Sequence, residues 1–142
     1  METYTIDDLQ AFLDAEGIQH FKAAEITLLR GWGKYAIPPQ DLWQNIIPTL
    51  QFLEGMRLIF GAIVVYSGYR TLEYNTHCGG AKNSQHMHFR AIDSAPVNRL
   101  YLDRYKEEIL KAWKQSSKHD KMGVGIYSTF VHVDFGFGYR KW

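Results

Sequence analysis

The chain has 142 residues, 46% of them hydrophobic and 15% aromatic, which is enough material for the core of one domain. Its formal net charge of +1 provides no basic footprint for nucleic acid, and its longest apolar run, residues 62–66, is far too short to span a bilayer. The single cysteine, Cys78, excludes an internal disulfide and is expected to be buried or half-buried, and the acidic start METYTIDDLQ does not resemble a secretory signal.

Helices are predicted through the first part of the chain. Residues 5–16 carry a capping-box pattern at Thr5 and Asp8, followed by one apolar stripe, and Gly17 ends this helix. The elements that follow are a short helix at 21–30, a loop at 31–39, a helical turn at 40–46 and a helix at 48–60.

Strand signals begin after the last of these helices. The β-branched run AIVVYSG, residues 62–68, predicts a buried strand, whereas residues 97–115 follow the 3.6-residue period of a helix. VGIY at 124–127 and FVHVDFG at 130–136 predict an antiparallel hairpin. The residues between are predicted to form a helical turn at 71–75 and a loop at 78–84. This order predicts a single domain with an α+β fold, in which helices flank a small antiparallel sheet.

The last predicted strand carries two candidate functional side chains. Strand alternation places Val131, Val133 and Phe135 on one face, which we assign to the core. His132 and Asp134 then share the other face, toward a cleft or toward water. Histidine and carboxylate are metal-ligand types, but an isolated HxD pattern is also common on half-exposed edge strands.

The stretch NSQHMHFRAID, residues 83–93, supplies a second such group. In one uninterrupted strand His86 and His88 would share a face and Asp93 would lie on the opposite one. His86 can therefore meet Asp93 only if the chain turns or bulges between them. The NS dipeptide at 83–84 indicates that His86 still lies in a loop and that the strand begins near Phe89. The period leaves two candidate trios open, in which either His86 or His88 joins Asp93 and His132.

Three motifs together resemble a known family. SGYRTLEYN (67–75), GGAKNSQHMHFRAID (79–93) and GVGIYSTFVHVDFG (123–136) are similar to the zinc D-Ala-D-Ala carboxypeptidases and murein endopeptidases, which share the fold of the hedgehog signalling domain. The likeness is greatest to a small phage-type subgroup with SGYR, SxHxxGxAxD and HVD motifs. It covers about residues 20–140, so that residues 1–20 contribute an N-terminal helix.

The resemblance implies a zinc site. Its ligands would be His86, Asp93 and His132, with His88 outside the site. Two imidazoles and one carboxylate leave a fourth tetrahedral position for water, as a hydrolytic zinc requires.

The resemblance also implies substrate-binding residues, and two positions depart from its pattern. Arg70 would hold a substrate carboxylate or carbonyl oxygen, and Ser84 would form a hydrogen bond near the site. Phe89 replaces a glycine that permits a positive φ or close backbone approach, and Thr129 replaces a catalytic carboxylate. Asp134 is the nearest substitute in sequence, either as the catalytic base or as an acceptor that orients a neighbouring group.

The expected function is zinc-dependent hydrolysis of an amide bond in peptidoglycan stem or cross-link peptides, by a carboxypeptidase or an endopeptidase. Without a signal peptide, a phage-encoded enzyme would reach the wall from the host cytoplasm at lysis or from the virion. Two alternatives stay open. One is a catalytically inactive virion module that contacts other virion proteins, with or without the metal, and the other is a domain that binds cell wall without cutting it. No nucleic-acid partner and no membrane span are expected.

Overall fold

The computed structural model describes residues 3–142, which form helices and strands in an α+β arrangement. The α-helices are α1 (Ile6–Ala15), α2 (Ala23–Thr27), α3 (Ile47–Phe60), α4 (Leu72–His77) and α5 (Leu102–Gln115). Turns of 3-10 helix lie at Gln40–Ile46, Arg99–Tyr101 and Lys118–Asp120. The strands are β1 (Leu28–Leu29), β2 (Lys34–Tyr35), β3 (Ile63–Ser67), β4 (Ala91–Pro96), β5 (Gly123–Ile126), β6 (Val131–Asp134) and β7 (Arg140–Lys141). The predicted fold class is therefore confirmed.

The predicted start of α1 is confirmed at the atomic level. The hydroxyl of Thr5 accepts a hydrogen bond from the backbone N–H of Asp8 at 3.2 Å, and the Asp8 carboxylate accepts one from the Thr5 N–H at 2.8 Å. This reciprocal capping box satisfies two N–H groups that the first helical turn leaves without partners. Gly17 follows the helix with φ of 81°, a conformation that glycine adopts at little cost.

Two short strand pairs were not predicted. β1 and β2 form a two-residue antiparallel ladder where a longer helix and a loop were expected. β7 adds to the far edge of the main sheet and runs parallel to β5, so that sheet is mixed and not wholly antiparallel. Strands of two residues have no readable period, and their pairing depends on contacts with distant parts of the chain.

The main sheet has the strand order β3-β4-β6-β5-β7, and its two faces have different roles. One face carries Ile92, Val124, Val131 and Val133 into a core that it shares with residues of α3 and α5. β4 contacts both of these helices and is buried along its whole length. The other face carries the polar residues of the candidate site. No helix among the described residues is long and apolar enough to cross a membrane.

Candidate metal centre and its cleft

Strand register brings the polar residues of the sheet into one row. Asp93 on β4 pairs directly with His132 on β6, and His132 pairs with Gly125 on β5. On the other side, Asp93 pairs with Ser67 on β3, next to an irregularity in that ladder. Because cross-strand neighbours lie side by side, the carboxylate and the imidazole emerge next to each other on the same face.

His86 reaches this row from the loop that precedes β4. Its backbone carbonyl accepts a hydrogen bond from Arg70 N–H at 3.2 Å, and its own N–H donates to the hydroxyl of Ser84 at 3.2 Å. The expectation that His86 lies in a loop is therefore confirmed. The strand begins at Ala91, two residues later than Phe89, the expected start.

Three possible ligand atoms converge at this point. His86 Nε2 lies 3.2 Å from Asp93 Oδ1, and His132 Nδ1 lies 3.0 Å from the same oxygen. The three side chains offer one donor atom each within 4.8 Å of one another, so they could hold a metal ion. All three residues are buried, with at most 7% of their surface exposed.

Each histidine has an acceptor next to the ring nitrogen that points away from Asp93. The carbonyl oxygen of Gly68 lies 2.7 Å from His86 Nδ1, and Asp134 Oδ2 lies 2.7 Å from His132 Nε2. A ring that carries one proton can donate it to this acceptor, which leaves His86 Nε2 and His132 Nδ1 free to bind a metal. These two nitrogens lie 3.2 and 3.0 Å from Asp93 Oδ1, so either protons or a metal ion must lie between them and the carboxylate. The donor set thus fits a metal ion.

The ionisation of these groups shows the same demand for positive charge. Burial alone would raise the pKa of Asp93, but the charge and N–H donors of His86 and His132 hold it well below its usual range. Burial would lower the pKa of His132, yet its hydrogen bonds to Asp134 and Asp93 raise it overall. Burial opposes ionisation of Asp134 too, and hydrogen bonds from His132 and Arg140 lower its pKa.

His88 lies outside the cluster. It is half-buried, and its Nε2 lies 2.8 Å from the side-chain oxygen of Asn83. Of the two trios that the sequence left open, the structure brings together the one that contains His86.

Arg70 is held at the edge of the cluster by three neighbours. Its Nε donates to Ser67 Oγ at 3.0 Å and its Nη1 to Asn75 Oδ1 at 3.2 Å. Its Nη2 lies 3.5 Å from Asp93 Oδ2, while 15% of the side chain stays exposed. Arg70 and Ser84 both line a cleft of about 570 Å³ that also contains the three possible metal ligands.

Neither Thr129, which stands where the resemblance implied a catalytic carboxylate, nor Asp134, its nearest substitute in sequence, lines this cleft. Thr129 is exposed on the β5–β6 turn, where its carbonyl accepts a hydrogen bond from Arg99. Asp134 is fully buried behind His132, and Arg140 donates to both of its carboxylate oxygens at 3.0 and 2.8 Å. Among the described residues that line the cleft, Asp93 is the only one with a carboxylate side chain.

Comparison with known families agrees with this geometry. The family model of peptidase M15 matches residues 19–134, more than half of the chain. The chain belongs to the peptidase M15 family. All three possible metal ligands lie within the match, as do Arg70 and Ser84. No curated protein matches the sequence.

Phe89, where the resemblance implied a glycine, has an unusual backbone conformation. Its φ of 54° lies in the left-handed region, which favours glycine. Its ring is fully buried and packs edge-to-face on Tyr69, with ring centroids 5.9 Å apart. The backbone conformation is therefore unfavourable for phenylalanine, while the buried ring contributes to the core.

Sequence reasoning missed one wall of the cleft. Tyr127 and Phe130 stack with ring centroids 4.6 Å apart, and Trp142 places its ring 4.9 Å from that of His132. Trp142 Nε1 also donates to the Tyr127 hydroxyl at 2.8 Å. The signal that could have found this wall is the alternating GVG of β5, because a Cβ on Gly125 would lie 2.6 Å from the Trp142 ring.

The expected burial of Cys78 was wrong. The thiol is exposed and lies at the rim of the cleft, just after α4. A short helix followed by the glycines of the loop leaves no apolar layer to cover it.

Proposed function

We propose that this M15 family member is a zinc-dependent hydrolase of an amide bond in peptidoglycan peptides, as a carboxypeptidase or an endopeptidase. His86, Asp93 and His132 would hold the metal. The observation that supports this most strongly is the convergence of three possible ligand atoms within 4.8 Å, with His86 Nε2 and His132 Nδ1 both directed toward Asp93.

The donor set suits the proposed metal. Two imidazole nitrogens and one carboxylate are typical of hydrolytic zinc, which supplies Lewis-acid activation of a water molecule and of the scissile carbonyl. The same donors also serve non-haem iron, so the metal has to be identified by elemental analysis.

Arg70 would bind the substrate. Its guanidinium is fixed by Ser67 and Asn75 and retains an exposed edge in the cleft. A planar fork of N–H donors suits either a peptide carboxylate or the charge that develops on the attacked carbonyl oxygen. Ser84 would act indirectly, since its hydroxyl supports the backbone of His86.

Asp134 would orient His132 and would not remove a proton from water. Both of its oxygens are already engaged by His132 and Arg140, and it does not line the cleft. Hydrolysis still requires a general base, and among the described residues that line the cleft Asp93 is the only one with a carboxylate side chain. This observation favours one alternative, a catalytically inactive module that keeps the fold and the metal. In a phage such a module would contact other virion proteins.

The lining of the cleft and the motif resemblance support the substrate class and the source. A cleft lined by a guanidinium on one side and by aromatic rings on the other suits a short peptide with a free carboxylate. Peptidoglycan peptides, and a phage enzyme that acts on the wall from the host cytoplasm or the virion, follow from the motif resemblance alone.

Two measurements on the purified protein test the proposal. Elemental analysis should find about one zinc per chain, and the protein should release peptides with new amino termini or carboxylates from sacculi until a chelator is added. Alanine at His86, Asp93 or His132 should abolish both, whereas His88→Ala is the matched control that should keep both. Zinc binding without release from any wall type would support the inactive module, and His88→Ala losing zinc would refute the ligand set.

A further inference from the structure

The family match ends at Asp134, and the residues beyond it add β7 to the edge of the sheet. Arg140 on β7 pairs with Gly123 on β5, and Gly123 pairs with Asp134 on β6. These three residues therefore form a second row across the sheet, beside the row that contains His132 and Asp93.

Hydrogen bonds and two aromatic rings hold the guanidinium of Arg140, while 30% of the side chain stays exposed. It donates to Asp134 through two parallel hydrogen bonds of 3.0 and 2.8 Å, and it donates to the carbonyl of Gly138 at 2.9 Å. Its central carbon lies 4.8 Å from the Phe137 ring centroid and 5.1 Å from that of Trp142. Paired N–H donors and flanking aromatic rings are an arrangement that lysine cannot reproduce.

Gly123 lies between Arg140 and Asp134 and leaves room for their contact. Its φ lies outside the left-handed region, so its backbone conformation does not require glycine. A Cβ at this position would collide with Arg140 Nη1 and would lie 2.7 Å from Asp134 Oδ1. Glycine is thus needed here for space, and what occupies the space is the contact between guanidinium and carboxylate.

We propose that Arg140 is a positioning residue that fixes the imidazole of His132 by holding Asp134. Because Arg140 occupies both carboxylate oxygens, Asp134 cannot rotate, and its Oδ2 stays 2.7 Å from His132 Nε2. His132 Nδ1 then stays 3.0 Å from Asp93 Oδ1, where a metal-ligand atom would have to lie. This inference rests on the proposed metal site and assigns to it a residue from outside the family match.

The test compares Arg140→Ala, Arg140→Lys, Asp134→Asn and the double variant Arg140→Ala/Asp134→Asn with wild type. Lys141→Ala is the matched control, because Lys141 is the exposed neighbour on the same strand. Zinc dissociation constants come from competition with a chelator. We expect Arg140→Ala to weaken zinc binding about 10-fold or more, as the loss of groups that orient metal ligands generally does. Arg140→Lys should recover less than half of the change in log Kd that Arg140→Ala causes. Lys141→Ala should bind zinc with the same affinity as wild type.

The double variant separates positioning from a general structural role. If Arg140 acts through Asp134, Arg140→Ala should change zinc affinity less than about two-fold when Asp134 is already Asn. An undiminished effect in that background, or wild-type affinity in Arg140→Ala, would overturn the proposal. If Arg140→Ala does not fold, Arg140→Lys and Gly123→Ala replace it. The Cβ of Gly123→Ala would displace the guanidinium. Each variant should weaken zinc binding in wild type and change it less than about two-fold when Asp134 is already Asn.

A readout without metal keeps this inference apart from the proposed function. Nitrogen-15 NMR of the histidine rings in the metal-free protein reports whether the imidazole of His132 holds one orientation. Wild type and Lys141→Ala should give one sharp set of His132 ring signals, and Arg140→Ala should give broadened or shifted signals. Failure of wild type to bind zinc would refute the metal site, whereas His132 signals unchanged from wild type in every Arg140 variant would refute the role of Arg140.

Discussion

Replacing Phe89 by glycine should leave a more stable protein than replacing it by alanine, which reverses the usual order of these two residues. Phe89 has φ of 54° and a fully buried ring. Loss of that ring costs about 3–5 kcal/mol in either variant. Alanine also keeps the unfavourable left-handed backbone, which glycine relieves by about 1 kcal/mol. We therefore expect a gap of about 1 kcal/mol in favour of Phe89→Gly.

Urea unfolding followed by circular dichroism measures this gap, which corresponds to a difference of about 2–5 °C in melting temperature for a domain of this size. Leu53 provides the matched control, since it is fully buried but lies in the middle of α3. At that position Leu53→Ala should be more stable than Leu53→Gly by about 1 kcal/mol, because glycine destabilises helix interiors. If Phe89→Ala is as stable as Phe89→Gly or more stable, the left-handed backbone of Phe89 does not cost the free energy assigned to it.

Three further predictions concern the site and its support. Arg70→Ala should lower kcat/KM on a stem-peptide substrate by about 10²–10³, with zinc content unchanged, because an oxyanion or carboxylate donor is lost. Gly68→Ala should reduce both thermal stability and zinc affinity, since its Cβ would lie 2.8 Å from the backbone carbonyl carbon of Ile26 and displace the acceptor of His86. Glu54→Gln should lower the free energy of unfolding by about 1 kcal/mol at neutral pH. Burial opposes ionisation of Glu54, but hydrogen bonds from His20 and Gln19 lower its pKa overall. The difference in stability between wild type and Glu54→Gln should therefore vanish as the pH falls through that lowered pKa.

Each of these has its own control. Arg70→Lys should restore little activity, because an ammonium lacks the planar fork, and full recovery would contradict the binding role. Gly55→Ala tests the glycine argument, since a Cβ there meets no atom within 4 Å. Glu107→Gln, at an exposed position of α5, should show no loss that depends on pH, and an equal loss there would refute the role given to Glu54.

The sequence was most informative where short-range chemistry decides the structure. The capping box at Thr5 and Asp8 needs only residues three apart, and the alternation of β6 needs only its own period. The capping box and the core face of β6 were predicted correctly, whereas Asp134 was expected toward a cleft or water and is buried away from both. The choice between His86 and His88 lay beyond any period, because it depends on a loop held by the distant carbonyl of Gly68.

The role of Asp134 could not be derived from the sequence for a related reason. Whether a carboxylate is a base or a support depends on what surrounds it, and its partner Arg140 lies on a two-residue strand that no pattern predicts. Cys78 was placed wrongly because burial of a lone thiol is decided by the neighbours that tertiary structure provides.

The direct pairing of Asp93 with His132 means that a bound metal would also act as a cross-link. The two residues are 39 positions apart in the chain and adjacent across β4 and β6. A slip of one residue between these strands would turn one of the two side chains into the core, so only the native pairing could keep the ion. In a chain without a disulfide, metal at a thousand times its dissociation constant would add about 4 kcal/mol to stability. The backbone amides of β4 and β6 should accordingly be the ones whose hydrogen exchange slows most when zinc is added.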